Sequence, residues 1–354
     1  MRYTIVVTGA TGFAGSHVIE ALMQLNHQDI DVVAACRDRR KLLPQFSGEV
    51  REGDLNDSDY LDRVLTGADI VCHCAAWSTL YGKAALSQKL FLEPSLALID
   101  KALEWRVKRF VFISSASVAA PRHSHEALSP GIKRRYWPHL DHLIDIENAM
   151  RDNAQRGMSM VCLRMGVFVG KRYSLGLLPV LLPRLKTRLW PWLSGGHGSL
   201  PLVAGPDVAQ AMIRAALAPN LQVFESINIA GPEVPSHRQV IDYICANYAY
   251  PKPRYSLPFA VAQPLATLLE WLHKPLQREP LMTRSLLHWL RETRINNDKA
   301  AQLLGYQPEI HWKQAVDEQI QQMQAQGFTT MPLSQPVSAR NLGNEQDTPG
   351  GANR

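Results

Sequence analysis

The sequence predicts an α/β protein: a doubly wound parallel sheet followed by a smaller, mostly helical lobe. Three observations carry this expectation. Short β-branched runs alternate with longer stretches that place apolar residues at helical spacing. The runs are apolar throughout, as strands covered on both faces must be. After Gly170 the alternation stops, and Leu-, Pro- and Trp-rich helical patterns take over.

In chain order, strands are expected at residues 3–8, 31–36, 48–52, 70–74, 110–114 and 160–164, with helices at 16–25, 57–65, 93–105 and 140–153 between them. Crossovers of this kind are right-handed, which gives the doubly wound sheet. A helix at 207–218, opened by Asp207 as its N-cap, and a strand at 226–230 complete it. The expected organisation is therefore a doubly wound sheet domain over 1–170, completed by about 204–231. A substrate lobe takes 171–203 and 232–329, and residues 330–354, rich in Thr, Pro, Ser, Asn and Gly, read as a disordered tail.

The chain has 354 residues, 46% of them hydrophobic, enough for a large core. No targeting signal is read at the start, since Arg2-Tyr3 leads straight into a strand. The longest apolar stretch, 257–272, is cut by Pro264 and Glu270, so no transmembrane segment is expected and a cytoplasmic location is. Five cysteines at irregular spacing argue for reduced thiols. Cys72-His73-Cys74 lacks a second ligand pair, so core residues are expected there and no metal. The net charge of +6 comes without an aromatic-interleaved basic motif or helix-turn-helix, which excludes nucleic acid as the expected partner. The clusters at Lys133-Arg134-Arg135 and Arg184/Lys186/Arg188 read as solvated faces.

"VVTGATGFAGSHVIEAL" sets Gly9, Gly12 and Gly15 between the first strand and the first helix. Gly9 allows a tight turn, Gly12 lets a pyrophosphate approach the backbone, and Gly15 lets helix pack on strand. The helix amino end then faces phosphate with its dipole and free N–H groups. This is a Rossmann-type dinucleotide site. Arg37 at the end of the second strand, with Arg39, Arg40 and Lys41 behind it, suits the 2′-phosphate of NADP; Asp38 would instead take the ribose of NAD.

The TGxxGxxG spacing resembles the extended branch of the short-chain dehydrogenase/reductase superfamily, the NAD-dependent epimerase/dehydratase family. Gly53-Asp54-Leu55, "HCAAW", "RFVFISSASV", "LRMGVFVG" and "NNDKAAQLLGYQP" match its motifs in order, with Met165 in place of a usual proline. The likeness implies a cofactor lined by Gly9, Thr11, Gly12, Phe13, Gly15, Arg37, Asp54, Leu55, Ala75, Ala76, Met165 and Val167. It also implies a catalytic serine at Ser115, whose plainer reading is a strand-end serine bonded to backbone. The family's YxxxK pair is missing. Registering the family's following glutamate on Glu147 puts its tyrosine at His139 and its lysine at Leu143. Tyr136 lies nearby without a lysine partner. Tyr248–Lys252 spells YxxxK, but Pro251 and Pro253 break any helix there. Two readings stay open. In one, His139, expected to titrate near 6.5, replaces tyrosine as the acid, or Tyr136 is brought inward. In the other, the protein binds NADP without standard redox turnover.

Within the branch, the chain is most similar to 3β-hydroxysteroid dehydrogenase-like and dihydroflavonol reductase-like proteins, through its arginine-ended second strand and "SLPLVAGPDVAQAMIRAAL". That implies a ketone or secondary alcohol on a bulky, apolar small molecule; a sugar-nucleotide epimerase or dehydratase matches less well. Leu189, Trp190 and Trp192 are offered to a pocket, or equally to a hydrophobic core. The family's dimer helices would here be 96–102 and 144–150, a stripe that could also face the sheet.

Overall fold

Tyr3–Thr8 (β1) carries Ile5, Val6 and Val7, branched residues that suit a pleated strand, and it is an inner strand of a seven-stranded sheet. The structure is a computed structural model, and it describes residues 2–25, 27–119, 124–125, 128–273, 280–291 and 293–327. The predicted tail, 330–354, lies outside them.

The other strands are Ile30–Cys36 (β2), Glu49–Glu52 (β3), Ile70–His73 (β4), Arg109–Ser115 (β5), Ser159–Met165 (β6) and Phe224–Ile229 (β7). Their order is β7-β6-β5-β4-β1-β2-β3, and every pairing is parallel. Strand order reverses between β1 and β4, so their carboxyl ends open a crevice. All six strands expected before residue 170 form, with ends within a residue of expectation.

Two helical layers cover the sheet. Phe13–Leu25 (α1) buries Val18, Ile19 and Leu22 on one face. Ser58–Leu65 (α2), Glu93–Glu104 (α3) and Pro138–Asn153 (α4) bury the other. Leu98, Ile99, Ala102, Ile144, Ile146 and Met150 lie in that second core, so the stripes on 96–102 and 144–150 face the sheet. The helical lobe has its own core, built from Leu177–Lys186 (α5), His237–Tyr248 (α7), Arg284–Trp289 (α9) and Trp312–Ala325 (α11), with Asp298–Leu304 (α10) between the last two in sequence. Trp190 and Trp192 are buried in it, whereas Leu189 is 58% exposed. The apolar stretch 257–272 becomes Phe259–His273 (α8). Among the described residues no helix is long and apolar enough to cross a membrane.

Two expectations are corrected. Asp207 is not an N-cap: the helix is Gly205–Leu217 (α6), capped by Ala204. Asp207 is buried and accepts hydrogen bonds from the backbone N–H groups of Glu309 and Ile310, tying α6 to the segment before α11. Arg184 is not on a solvated face; it is buried, and its guanidinium donates to the carbonyls of Leu281 and Val180.

A buried ion pair joins α4 to the sheet. Glu147 of α4 accepts from Arg164 Nε at 3.0 Å and Nη2 at 2.6 Å, and from Ser114 Oγ at 2.5 Å. Arg164 and Glu147 are 0% and 1% exposed. This links β5, β6 and α4, and removing one partner strands the other charge in the core. Arg164→Met should therefore cost about 3–5 kcal/mol of stability. The double variant Arg164→Met/Glu147→Leu should recover most of it. Urea unfolding of the two checks this, and equal losses would mean that the pair is not the source.

Candidate active site

The β1–α1 turn is built on contacts that exclude side chains. Gly9 has φ +64°, and a Cβ there would lie 2.6 Å from the Ala75 backbone. A Cβ on Gly15 would lie 2.2 Å from the Gly9 carbonyl oxygen. Gly12 donates its N–H back to Gly9 O at 2.8 Å, closing the turn. α1 therefore starts directly over the end of β1, with its first N–H groups aimed into the crevice.

A hydrogen-bond relay fixes the same corner. Ser95 Oγ donates to Phe91 O at 2.6 Å, so it must accept from His73 Nε2 at 3.0 Å. His73 Nδ1 is then the acceptor for the Thr8 hydroxyl, 2.7 Å away. Of the cysteines beside His73, Cys72 is buried in the core and Cys74 is partly exposed; no group of three or more metal-binding side chains occurs among the described residues.

The crevice opens into a cleft with room for about 160 Å³. Gly9, Thr11, Arg37, Asp54, Leu55, Ala75 and Ala76 line it, as the sequence implied. The others implied do not form its wall. Gly12 and Gly15 shape the turn behind it. Phe13 packs on Phe168 and Tyr173, with ring centres 5.3 and 4.6 Å away. Met165 and Val167 are buried, Met165 opposite Ser115 in the sheet. Asn56, Cys74, Trp77, Leu90 and Phe91 join the wall without having been singled out. Leu90 and Phe91 reach it from a π turn, Gln88–Leu92, which runs into α3; such turns recur at functional sites. Periodicity gives no sign of this turn.

At the cleft rim Arg37 is exposed, and among the described residues its side chain makes no hydrogen bond or ion pair. Asp38 is engaged elsewhere. It caps the Arg39–Lys41 turn, accepts from Arg40 Nε at 2.9 Å and lies 3.7 Å from Lys41 Nζ. Its pKa is lowered, first by the Arg40 hydrogen bond. Burial works against ionisation of Asp54, but hydrogen bonds from Asn56 and the Arg37 charge outweigh it and leave its pKa low.

Ser115 ends β5. Its Oγ accepts from Ser117 N–H at 3.2 Å, so the backbone-bonded reading is realised while the hydroxyl hydrogen stays unspent. Ser117 O in turn takes a hydrogen bond from His288 Nε2 at 3.0 Å. α4 starts at Pro138, with His139 in its first turn and Leu143 buried one turn on. His139 packs 4.9 Å from Phe91 and hydrogen-bonds the Trp77 backbone, leaving Nδ1 sealed from solvent and, among the described residues, without a partner. Desolvation, helped by His142, lowers its pKa to about 4. The expectation of a value near 6.5 is overturned: His139 is neutral at pH 7. Tyr136 sits with Arg284 4.8 Å over its ring. Burial raises its pKa, against the opposing charges of Arg134, Arg291 and Arg284. Tyr248 and Lys252 are occupied by Asp317 and Asp242, far from this corner in the fold.

Residues 5–230 match the model of the NAD dependent epimerase/dehydratase family. The chain belongs to that family. Among characterised proteins it is similar to the decarboxylating sterol-4-alpha-carboxylate 3-dehydrogenase of Dictyostelium discoideum. The two are 24% identical over 89% of this chain and 99% of that protein. It is 23% identical to a ketoreductase of Stigmatella aurantiaca that is named for a farnesyl-dihydroquinoline oxide substrate, over 88% of this chain and 94% of that one. Among solved structures, the UDP-glucuronic acid 4-epimerase of Bacillus cereus, in complex with UDP-glucuronic acid and NAD, superposes with a TM-score of 0.69 at 19% identity. That match covers 91% of this chain and 99% of that one.

The buried histidines set an acid limit. His17, His73 and His139 each have a native pKa of about 4, lowered first by burial from 6.5. Between those values the unfolded chain takes up protons that the native state refuses. Stability should therefore fall as pH drops from 6.5 towards 4, by about 1.4 kcal/mol per pH unit for each histidine. Above pH 6.5 these three add no dependence. Urea midpoints at pH 7, 6 and 5 check this, and a flat series would contradict it.

Proposed function

We propose that the protein is an NADP-dependent oxidoreductase of the extended short-chain dehydrogenase type, interconverting a ketone and a secondary alcohol on a bulky, apolar small molecule. The observation that carries this reading is a cleft with an unpaired arginine at one end, near the β5 terminus where Ser115 keeps a free O–H. The named activities of the two relatives, a 3-dehydrogenase and a ketoreductase, support it.

The glycine turn and the amino end of α1 would hold the pyrophosphate, Asp54 and Leu55 the adenine, and Arg37 the 2′-phosphate. Asp38, held by Arg40, would not compete for the ribose. A bound nicotinamide dinucleotide supplies or takes up the hydride. Ser115 donates its hydroxyl hydrogen to the substrate carbonyl oxygen and polarises it. A neutral His139 is a poor proton donor at pH 7. Tyr136 takes that role instead, its phenol protonated and three arginines supplying the positive field that the family's lysine gives. A second reading, a dinucleotide-binding protein without turnover, is favoured by one observation: Leu143 and the uncharged His139 stand where the family's catalytic pair belongs.

NADPH should bind more tightly than NADH, and Arg37→Ala should narrow the gap by about 1.5–3 kcal/mol in calorimetry. Equal wild-type affinities would return the ribose to Asp38. Against a panel of apolar ketones, Ser115→Ala should lower kcat about 10²-fold or more, with NADPH affinity unchanged. Tyr136→Phe should do the same and His139→Ala much less. The reverse order would assign the proton to His139. Tight NADPH binding with no turnover on any ketone would decide for the second reading.

A further inference from the structure

The outward face of a helix on a protein in water is normally polar. That of α8 is not. Val261, Leu265, Leu268, Trp271 and Leu272 recur at steps of three and four residues, and they are 39–70% exposed, Trp271 most of all. Ala260 and Pro264 are exposed on the same side, and no charged residue is. The opposite side is the one that packs: Ala262, Ala266 and Glu270 are buried, and Leu269 lies against the lobe core. Glu270, the helix's single acid, is spent inward on Arg284, accepting from its backbone N–H at 2.6 Å and its Nε at 2.7 Å. The exposed stripe is thus a second apolar face on a helix whose first is already used.

The chain around the amino end of α8 is basic. No Asp or Glu occurs between Asp152 and Asp207, nor between Asp242 and Glu270. Within those segments Arg188 and Arg254 are exposed, and among the described residues their side chains make no hydrogen bond or ion pair. Each adjoins an exposed residue with a large apolar body, Leu189 or Tyr255. The Tyr255 hydroxyl donates to the Leu189 carbonyl, which joins the two loops. Phe259 N–H donates to Ser194 Oγ at 3.1 Å and ties the start of α8 to the segment that follows Leu189. Uncompensated cations beside an apolar stripe match a layer of anions over hydrocarbon. A second copy of the chain would bring the same acid-free segments and leave both arginines unmatched.

We propose that α8 docks this protein onto an anionic lipid bilayer, lying in the plane of its surface. Val261, Leu265, Leu268 and Leu272 enter the boundary of the acyl chains, Trp271 sits at the level of the headgroups, and Arg188 and Arg254 meet lipid phosphates. α8 has 15 residues, and a helix needs about 20 to span the hydrocarbon, so it lies on the bilayer rather than across it. The Glu270–Arg284 pair holds the helix to the body while its outer face is engaged. Docking goes beyond the oxidoreductase reading and stands on binding alone.

The full chain is mixed with vesicles of phosphatidylcholine alone, and with vesicles of phosphatidylcholine and phosphatidylglycerol in equal parts, and binding is read by co-sedimentation. It should bind the anionic vesicles about tenfold more tightly, and added salt should narrow the gap. Leu268→Gln/Leu272→Gln, on two exposed side chains, should weaken that binding about tenfold or more and leave Tm unchanged. In unmutated protein, anionic vesicles with brominated acyl chains should quench tryptophan fluorescence, so a poorly folding variant leaves the test intact. No sedimentation with either vesicle, equal binding to both, or no quenching would overturn the proposal. A dimer in sedimentation velocity that the double variant dissolves, without vesicle binding, would overturn it too and give the face to a second copy. Neither cofactor nor ketone enters this readout. A chain that docks but reduces no ketone loses only the oxidoreductase reading, and one that turns over without docking loses only this proposal.

Discussion

The close passage of Gly9 against Ala75 governs the rest of the molecule. With no room for a Cβ at Gly9 or Gly15, the end of β1, the start of α1 and the segment after β4 meet backbone to backbone. That contact sets the sheet's switch point, and the cleft is the space left where neighbouring strands turn their helices to opposite faces. The Thr8–His73–Ser95 relay holds the same corner from beneath, linking β1 and β4 to α3 through one histidine of fixed tautomer. The relay works only while His73 is neutral, because a protonated ring would lose the acceptor that Thr8 needs. A histidine that sits between two cysteines in an apolar strand is thus a structural joint.

Strands and the helices between them were legible because they obey local rules: branched apolar runs, helical spacing, glycine punctuation. What was not legible depends on partners distant in sequence. Asp207 has the composition of an N-cap, but Gly205-Pro206 start the helix before it, and its carboxylate serves two N–H groups about a hundred residues on. Arg184 reads as surface until the Leu281 carbonyl is placed beside it. His139 stands in the first turn of α4, as its position after Pro138 implied, yet its pKa is lowered first by desolvation, under cover from residues such as Phe91 that no spacing ties to it. The same limit applies to the cleft. The residues from motifs with a local mechanism, the glycine turn and the strand-end arginine, were found, whereas the π-turn residues and Trp77 were not.

The region where the family's tyrosine and lysine belong is consistent with its own neighbours. Leu143 is packed in the core formed by Leu140, Ile144 and Ile146, so a lysine there would put an unpaired ammonium into an apolar layer. The charge that α4 does carry inward, Glu147, is already matched by Arg164 and Ser114. Positive charge is found instead on the far side of Tyr136, where Arg134, Arg284 and Arg291 all act on the phenol, and Arg284 is itself anchored by Glu270. A lysine on α4 lowers a tyrosine's pKa and reaches a ribose at once; the arginines here can do only the first. On the proposed reading, affinity for a dinucleotide would then rest on the other end of the cleft, where the glycine turn offers backbone N–H groups and Arg37 offers charge to phosphates. On that reading, dinucleotide binding and proton supply, joined in one lysine elsewhere in the family, would be divided in this chain between two ends of the site.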